Sequence, residues 1–323
     1  MNGTDLDQRV KDYLALRTTM GYRVNSEDRS LLEGFAASVQ PHTHQITTEM
    51  ALRWACGSPT FAAATRAWRL SRLRGFLTYL RTFWPEIEVP GRGLLAKVHR
   101  QTPYIYSEQE IVKLLQATQG IKARGPASFT PLARTWRALT CETLFGLLAS
   151  TGLRVGEAIR LDLNDVQLHE APPCLVVRET KFRKTRLVPI HPSVADRLQR
   201  YVQQRRELGD DGLTHAFFVS ERGDRLRHGW ISRAWRSLLR SAGVTPTRDG
   251  RRPTIHALRH TFAVRRLLEW QRLGMNVTAM IPHLSIYMGH AAPQNTYWYL
   301  TATPELFDLA GQSFERFTAG GER

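Results

Sequence analysis

Residues 256–263 read His-Ala-Leu-Arg-His-Thr-Phe-Ala, and the spacing His256 to Arg259 sets an imidazole and a guanidinium on one helix face. Side by side there, the two can share one anion. Downstream lies Met288-Gly-His290, followed by Tyr299 within the stretch 296–306, TYWYLTATPEL. Upstream lies Thr151-Gly-Leu-Arg-Val-Gly-Glu157, an apolar helix that breaks at Gly152 and restarts with Arg154 in its first turn. A cation is unfavourable at a helix N-terminus, so Arg154 needs a negative ligand or Glu157, one turn on, to hold it. Between these stretches, Cys174-Leu-Val-Val and Arg186-Leu-Val-Pro-Ile predict two short strands around the basic turn Thr180-Lys-Phe-Arg-Lys-Thr. Taken alone, each stretch has an ordinary structural reading, such as a surface Arg, an incidental His-x-x-Arg pair or core aromatics. Their joint occurrence in this order is much harder to dismiss.

Around them the pattern is helical, and the expected fold class is mainly α with a small β-sheet (α+β). Residues 5–20, 26–39, 47–55 and 60–84 predict helices, the last bounded by Pro59 and Pro85. The Pro- and Gly-rich stretch PEIEVPGRGLLAKVHRQTPY reads as a linker. Residues 1–90 are therefore expected to form a helical domain, 91–104 a linker and 105–323 a second domain. In the second, Ser107 and Glu110 form a capping box, 120–131 is a loop, and an apolar helix covers about 135–150. Residues 217–220 (Phe-Phe-Val-Ser) predict one more short strand.

The chain of 323 residues is 42% apolar, enough to fill a core, and carries 45 Lys+Arg against 29 Asp+Glu, a formal charge of +16. The excess is spread over both halves, which points to a polyanion gripped from two sides rather than to a basic tail. No uncharged apolar stretch is long enough to span a bilayer, and the polar N-terminus is unlike a signal peptide. Cys56, Cys141 and Cys174 have no zinc spacing and are expected to be reduced, in keeping with the cytoplasm. Between Glu49 and Glu86 there is no acid, while Arg66, Arg69, Arg72 and Arg74 line one helix, which is expected to face phosphates. Arg233, Arg236 and Arg240 share a second helix face, opposite Ile231, Trp235 and Leu238, and suit a DNA groove.

Together the four stretches resemble the catalytic domain of the tyrosine recombinases, the phage integrase family that includes the Xer-type recombinases, over roughly residues 105–310. TGLRVGE resembles the family's first Arg box. ETKFRKTRLVPI resembles its β-hairpin segment GKGxKxRxVPL, with Phe182 in place of the usual Gly. HALRHTFA resembles the HxLRHTFA box, and MGH with the later Tyr resembles the LGH…Y box. The loop at 120–131 is longer than is usual in the family. The resemblance implies Arg154, Lys181, His256, Arg259, His290 and Tyr299 as the active site, with Lys181 taken over Lys184, and Tyr299 over Tyr297, by spacing. It also implies a SAM-like core-binding domain at 1–90, double-stranded DNA as partner, a homo-tetramer on DNA working with other recombinase or accessory proteins, and a C-terminal helix from Thr303 that docks on a neighbouring protomer.

Chemistry assigns matching roles. Arg154 and Arg259 clamp the non-bridging oxygens of a phosphodiester through planar donors that stay charged. Tyr299 is the nucleophile, His256 its base, Lys181 the acid for the departing 5′-hydroxyl, and His290 a donor to phosphate. Glu157 orients Arg154. With no accompanying carboxylate cluster, neither metal nor cofactor is expected. A type IB topoisomerase shares this chemistry, and a DNA-binding protein that no longer cuts is the non-enzymatic alternative.

Overall fold

The structure, a computed structural model, describes residues 3–22, 24–39, 45–96, 102–121, 130–178, 185–209, 214–290, 292 and 294–301. Lys181, most of the 120–131 loop and the helix expected from Thr303 lie outside the described residues. The chain divides into two compact units, residues 1–100 and 101–323.

The first unit is all helical: α1 (Gly3–Thr19), α2 (Ser26–Ser38), α3 (Thr48–Ala55) and α4 (Ala63–Leu80). Local chemistry sets the starts. The Asn25 side chain accepts from Asp28 N at 2.7 Å, and Thr47 Oγ1 accepts from Met50 N at 3.3 Å. The core is a stripe from each helix, including Leu6, Val10 and Leu14 of α1, Leu31 and Phe35 of α2, and Leu70, Leu73, Phe76 and Leu77 of α4. α4 is shorter than the expected 60–84. It stops at Leu80, and Trp84 N donates to Leu80 O in a closing turn, because a residue before proline avoids the helical conformation.

The second unit wraps its core around α6 (Pro131–Thr151), which follows α5 (Glu108–Gln116) and opens on a Thr130 cap with proline in its first turn. The expected capping box is present: Glu110 N donates to Ser107 Oγ at 3.1 Å and Ser107 N to Glu110 Oε2 at 2.8 Å. After the one-turn α7 (Val155–Ala158) comes an antiparallel sheet of β1 (Val166–Gln167), β2 (Cys174–Val177) and β3 (Arg186–Pro189), in that order, with Leu175 opposite Val188. Then follow α8 (Pro192–Glu207), α9 (His228–Ser241), α10 (Ile255–Arg272), α11 (Val277–Met288) and α12 (Gln294–Tyr297), and a 3₁₀ turn over Trp298–Thr301. Leu144, Phe145 and Leu148 of α6 meet Leu175, Val188, Tyr201, Phe217, Trp235 and Leu258 in the main core. A second cluster joins α10, α11 and the last turn through Phe262, Leu267, Ile281, Leu284, Met288 and Tyr299.

The strand expected at 217–220 is not formed. The segment makes only isolated bridges, Asp162 to Ala216 and Val219 to Arg225. The carbonyls of Ala216 and Phe217 are instead taken by Nη1 of the buried Arg205, at 2.7 and 2.6 Å. Apolar alternation and β-propensity select an extended conformation here, but an arginine supplies the partner that a strand would have given.

Candidate active site

The site is built on the C-terminus of α11. Gly289 takes a left-handed conformation (φ 66°), Gly289 N donates to Ile286 O, and His290 N donates to Ser285 O, both at 3.0 Å. This is a Schellman closure, and it leaves the next carbonyls without helical partners. Three consecutive ones each receive an arginine. Arg186 Nε donates to Tyr287 O at 2.9 Å, Arg259 Nη2 to Met288 O at 2.6 Å, and Arg154 Nη2 to Gly289 O at 3.0 Å. The negative end of a helix dipole thus gathers guanidinium groups from α7, α10 and β3.

Arg154 occupies the N-cap position of α7, and the positional misfit read from sequence is resolved by Glu157. Arg154 Nη1 donates to Glu157 Oε1 at 2.8 Å, while Arg154 N donates to Oε2 at 3.0 Å. Arg186 grips the same carboxylate with both Nη groups, at 3.1 Å to Oε1 and 3.0 Å to Oε2. Burial alone would push the Glu157 carboxyl up, but the hydrogen bonds and charge of Arg186, followed by those of Arg154, hold it down at about 2. Arg259 is 2% exposed and its other fork arm donates to Gly152 O at 2.7 Å. That carbonyl is available because Gly152 closes α6 in a left-handed conformation (φ 63°), with Phe262 Cδ1 only 2.5 Å from where a Cβ would sit. Burial, then the charges of Arg154 and Arg186, lower Arg259 to about 10, against the opposing influence of Tyr299 and Glu157, so it remains a cation at neutral pH. Within this network three guanidiniums face one carboxylate, an arrangement built for a further anion.

His290 follows directly, and its Nδ1 lies 2.6 Å from Thr296 Oγ1. Tyr299 is 1% exposed, with its ring stacked on His290 at 6.2 Å. His260 Nδ1 lies 3.0 Å from the Tyr299 hydroxyl. His256 stands one turn earlier on α10, exposed, with its ring 4.7 Å from that of His260 in an edge arrangement. Arg154, Glu157, His256, Arg259, His290 and Tyr299 therefore come together from three separated stretches, while Tyr297 is 42% exposed. Arg186 and His260 were not singled out as site residues in the sequence. Both sit inside quoted motifs, and the tight spacing of His260 to His256 was the available signal.

The expected DNA-binding arginines divide into two groups. On α4 each is engaged within its own unit. Arg66 Nη2 donates to Pro59 O, Arg69 Nη2 to Trp54 O, and Arg74 to Pro90 O and Gly91 O, while Arg72 pairs with Asp28 at 2.9 Å. Arg69 also lies 4.9 Å from the ring centres of both Trp54 and Phe61. On α9, Arg233, Arg236 and Arg240 are exposed and line one groove of about 430 Å³ with Arg137 and Trp230. Among the described residues no group of three His, Cys, Asp or Glu is placed to hold a metal, and no helix is long and apolar enough to cross a membrane.

The family model for the phage integrase family matches residues 107–305. A putative integrase/recombinase, y4rB of Sinorhizobium fredii (strain NBRC 101917 / NGR234), is 36% identical over 313 residues, spanning 96% of each chain. Tyrosine recombinase XerD of Mycobacterium tuberculosis (strain ATCC 25618 / H37Rv) is 33% identical over 63% of this chain and 58% of its own. Among solved structures, a lambda integrase tetramer bound to a Holliday junction superposes with a TM-score of 0.61 at 16% identity, covering 88% of this chain and 77% of that one. With the family model spanning most of the second unit and a full-length relative above 30% identity, this chain belongs to the phage integrase family of tyrosine recombinases.

Proposed function

We propose that the protein is a site-specific DNA recombinase that cleaves and rejoins strands through a 3′-phosphotyrosine. The observation that carries this reading is the seating of Arg154 and Arg259 on the adjacent carbonyls of Gly289 and Met288, with His290 and Tyr299 following on the same segment. The phenolic oxygen of Tyr299 attacks phosphorus, the bond from phosphorus to the 5′-oxygen breaks, and a free 5′-hydroxyl leaves. The proton of the phenol, whose ordinary pKa is about 10, passes to the His256–His260 pair. Lys181 delivers a proton to the leaving oxygen. Arg154 and Arg259 hold the non-bridging oxygens as charge builds on them, and His290, placed beside Tyr299 on the same segment, donates to a phosphate oxygen. Because the phosphodiester energy is kept in the tyrosyl ester, attack by a second 5′-hydroxyl rejoins the strands without a cofactor.

At 1% exposure Tyr299 cannot meet a phosphodiester where it rests, so engagement of DNA has to move the Trp298–Thr301 turn. Residues 1–90 form the second DNA-gripping lobe, joined through 91–104 to the catalytic part. The exposed Arg233, Arg236 and Arg240 contact phosphates directly. The α4 arginines Arg66, Arg69, Arg72 and Arg74 add positive potential while bracing their own unit. Strand exchange takes four protomers on paired sites, working in the cytoplasm with accessory proteins, and the tetrameric assembly of the lambda integrase relative supports that stoichiometry. Incubation with nicked suicide duplexes drawn from the DNA flanking its gene is expected to trap a covalent adduct, absent in Tyr299→Phe. An adduct that only relaxes supercoils and never joins two sites would instead make the protein a topoisomerase.

A further inference from the structure

We propose that Arg186 is a positioning residue for this reaction, the third arm of the arginine set, which fixes Glu157 and the end of α11 so that Arg154 and Arg259 meet phosphate in register. The inference rests on the recombinase reading above and concerns the same site.

The geometry leaves Arg186 little freedom. Its Nε donates to Tyr287 O at 2.9 Å, and its two Nη groups bracket the Glu157 carboxylate at 3.1 and 3.0 Å. The side chain is 11% exposed, and that of Glu157 3%. Arg154 depends on the same two anchors, Glu157 Oε1 and the carbonyl of Gly289, two residues beyond Tyr287. One side chain on β3 therefore ties together both supports of a guanidinium on α7. Removing it would free the carboxylate to rotate and loosen the α11 carbonyls on which Arg259 also sits.

The neighbourhood is shaped around this guanidinium. A Cβ at residue 289, where φ is 66°, would lie 2.6 Å from Arg186 Nη1 and 2.7 Å from its Cζ, so a side chain there would displace the guanidinium. Arg186 donates through all three of its nitrogens, to one carboxylate and one carbonyl, within the protein itself. It is thus committed to holding other groups, whereas Arg154, with 33% of its side chain exposed against 11% for Arg186, is the more open of the two. Lysine cannot replace it, since a single ammonium cannot span both carboxylate oxygens and the Tyr287 carbonyl in the plane of a fork.

The test is single-turnover cleavage of suicide DNA by the full chain, with binding measured separately in a Tyr299→Phe background. Arg186→Lys and Arg186→Met are expected to lower the cleavage rate at saturating protein on the order of 100-fold. DNA affinity should change by no more than about threefold, because phosphate contacts elsewhere dominate binding. The double variant Glu157→Met, Arg186→Met leaves neither buried charge unpaired and guards against simple unfolding. It should show a wild-type far-ultraviolet spectrum and a single cooperative urea transition and yet cleave as slowly as the single variants. A folded Arg186→Lys, or a folded double variant, that cleaves at the wild-type rate overturns the proposal. Loss of DNA affinity equal to the loss of rate also overturns it, by making Arg186 a binding residue. A wild-type protein that forms no adduct while remaining folded defeats the recombinase reading itself, a result distinct from either.

Discussion

Replacing Glu157 by Gln keeps the shape of the side chain and removes the negative charge that pairs with Arg154 and Arg186 beside Arg259. The Glu157 carboxyl is held at about 2 in the folded protein against a reference of 4.5. That difference corresponds to about 3 kcal/mol of stability drawn from ionisation, at about 1.4 kcal/mol for each pKa unit. Because the folded value is depressed, the contribution is complete above the reference value and is lost as pH falls towards about 2. Glu157→Gln should therefore cost about 3 kcal/mol at neutral pH, in line with the range for breaking one side of a buried ion pair. The cost should hold constant down to about pH 5 and shrink to roughly 2 kcal/mol near pH 3.5. Urea unfolding of the two proteins at a series of pH values, monitored by circular dichroism, reads this directly. A cost below about 1 kcal/mol that does not vary between those pH values would mean that the carboxylate is not what neutralises the arginines.

Three further outcomes are expected. Gly152→Ala, which forces a side chain into a left-handed backbone and against Phe262, should lower stability by about 1–3 kcal/mol in the same assay, and an unchanged midpoint would contradict the close packing of α6 on α10. His260→Asn should slow single-turnover cleavage by about 10²-fold or more at neutral pH, with the defect shrinking as pH approaches the ordinary tyrosine value near 10; a defect independent of pH would mean that His260 does not receive the phenolic proton. Arg236→Ala should weaken DNA binding and reduce its salt slope by about 1 while leaving stability untouched, whereas Arg69→Ala should cost about 1 kcal/mol of unfolding energy through its lost contacts with Trp54 and Phe61. Equal behaviour of the two variants would contradict the division between bracing and gripping arginines.

The helical class was readable from periodicity, and the capping box at Ser107 and the strands around 174–177 and 186–189 were readable from short-range chemistry. The convergence of Arg154, Arg259, His290 and Tyr299 followed from resemblance of motifs, and the contact between Arg154 and Glu157 from helical spacing alone. Other features were not legible because they depend on distant partners. The seating of three arginines on the carbonyls of residues 287–289 requires knowing that α11 ends beside α7, α10 and β3. Arg186 read as the first residue of a strand, with nothing local to show its carboxylate partner. The acid-free stretch of α4 read as a phosphate-facing surface, because no local pattern reveals that Arg72 meets Asp28 of α2 or that Arg69 packs on Trp54 of α3. The segment 217–220 looked like a strand for the same reason, since its carbonyl partner is Arg205 from α8.

In the proposed mechanism Tyr299 forms the covalent bond to DNA, although Tyr297 is the more exposed of the two nearby tyrosines. Proteolysis of the trapped adduct followed by mass spectrometry assigns the modified residue. The expected product is a 3′-phosphonucleotide on Tyr299 and none on Tyr297, with the adduct abolished by Tyr299→Phe and retained in Tyr297→Phe. A nucleotide found on Tyr297, or an adduct that survives Tyr299→Phe, would contradict it.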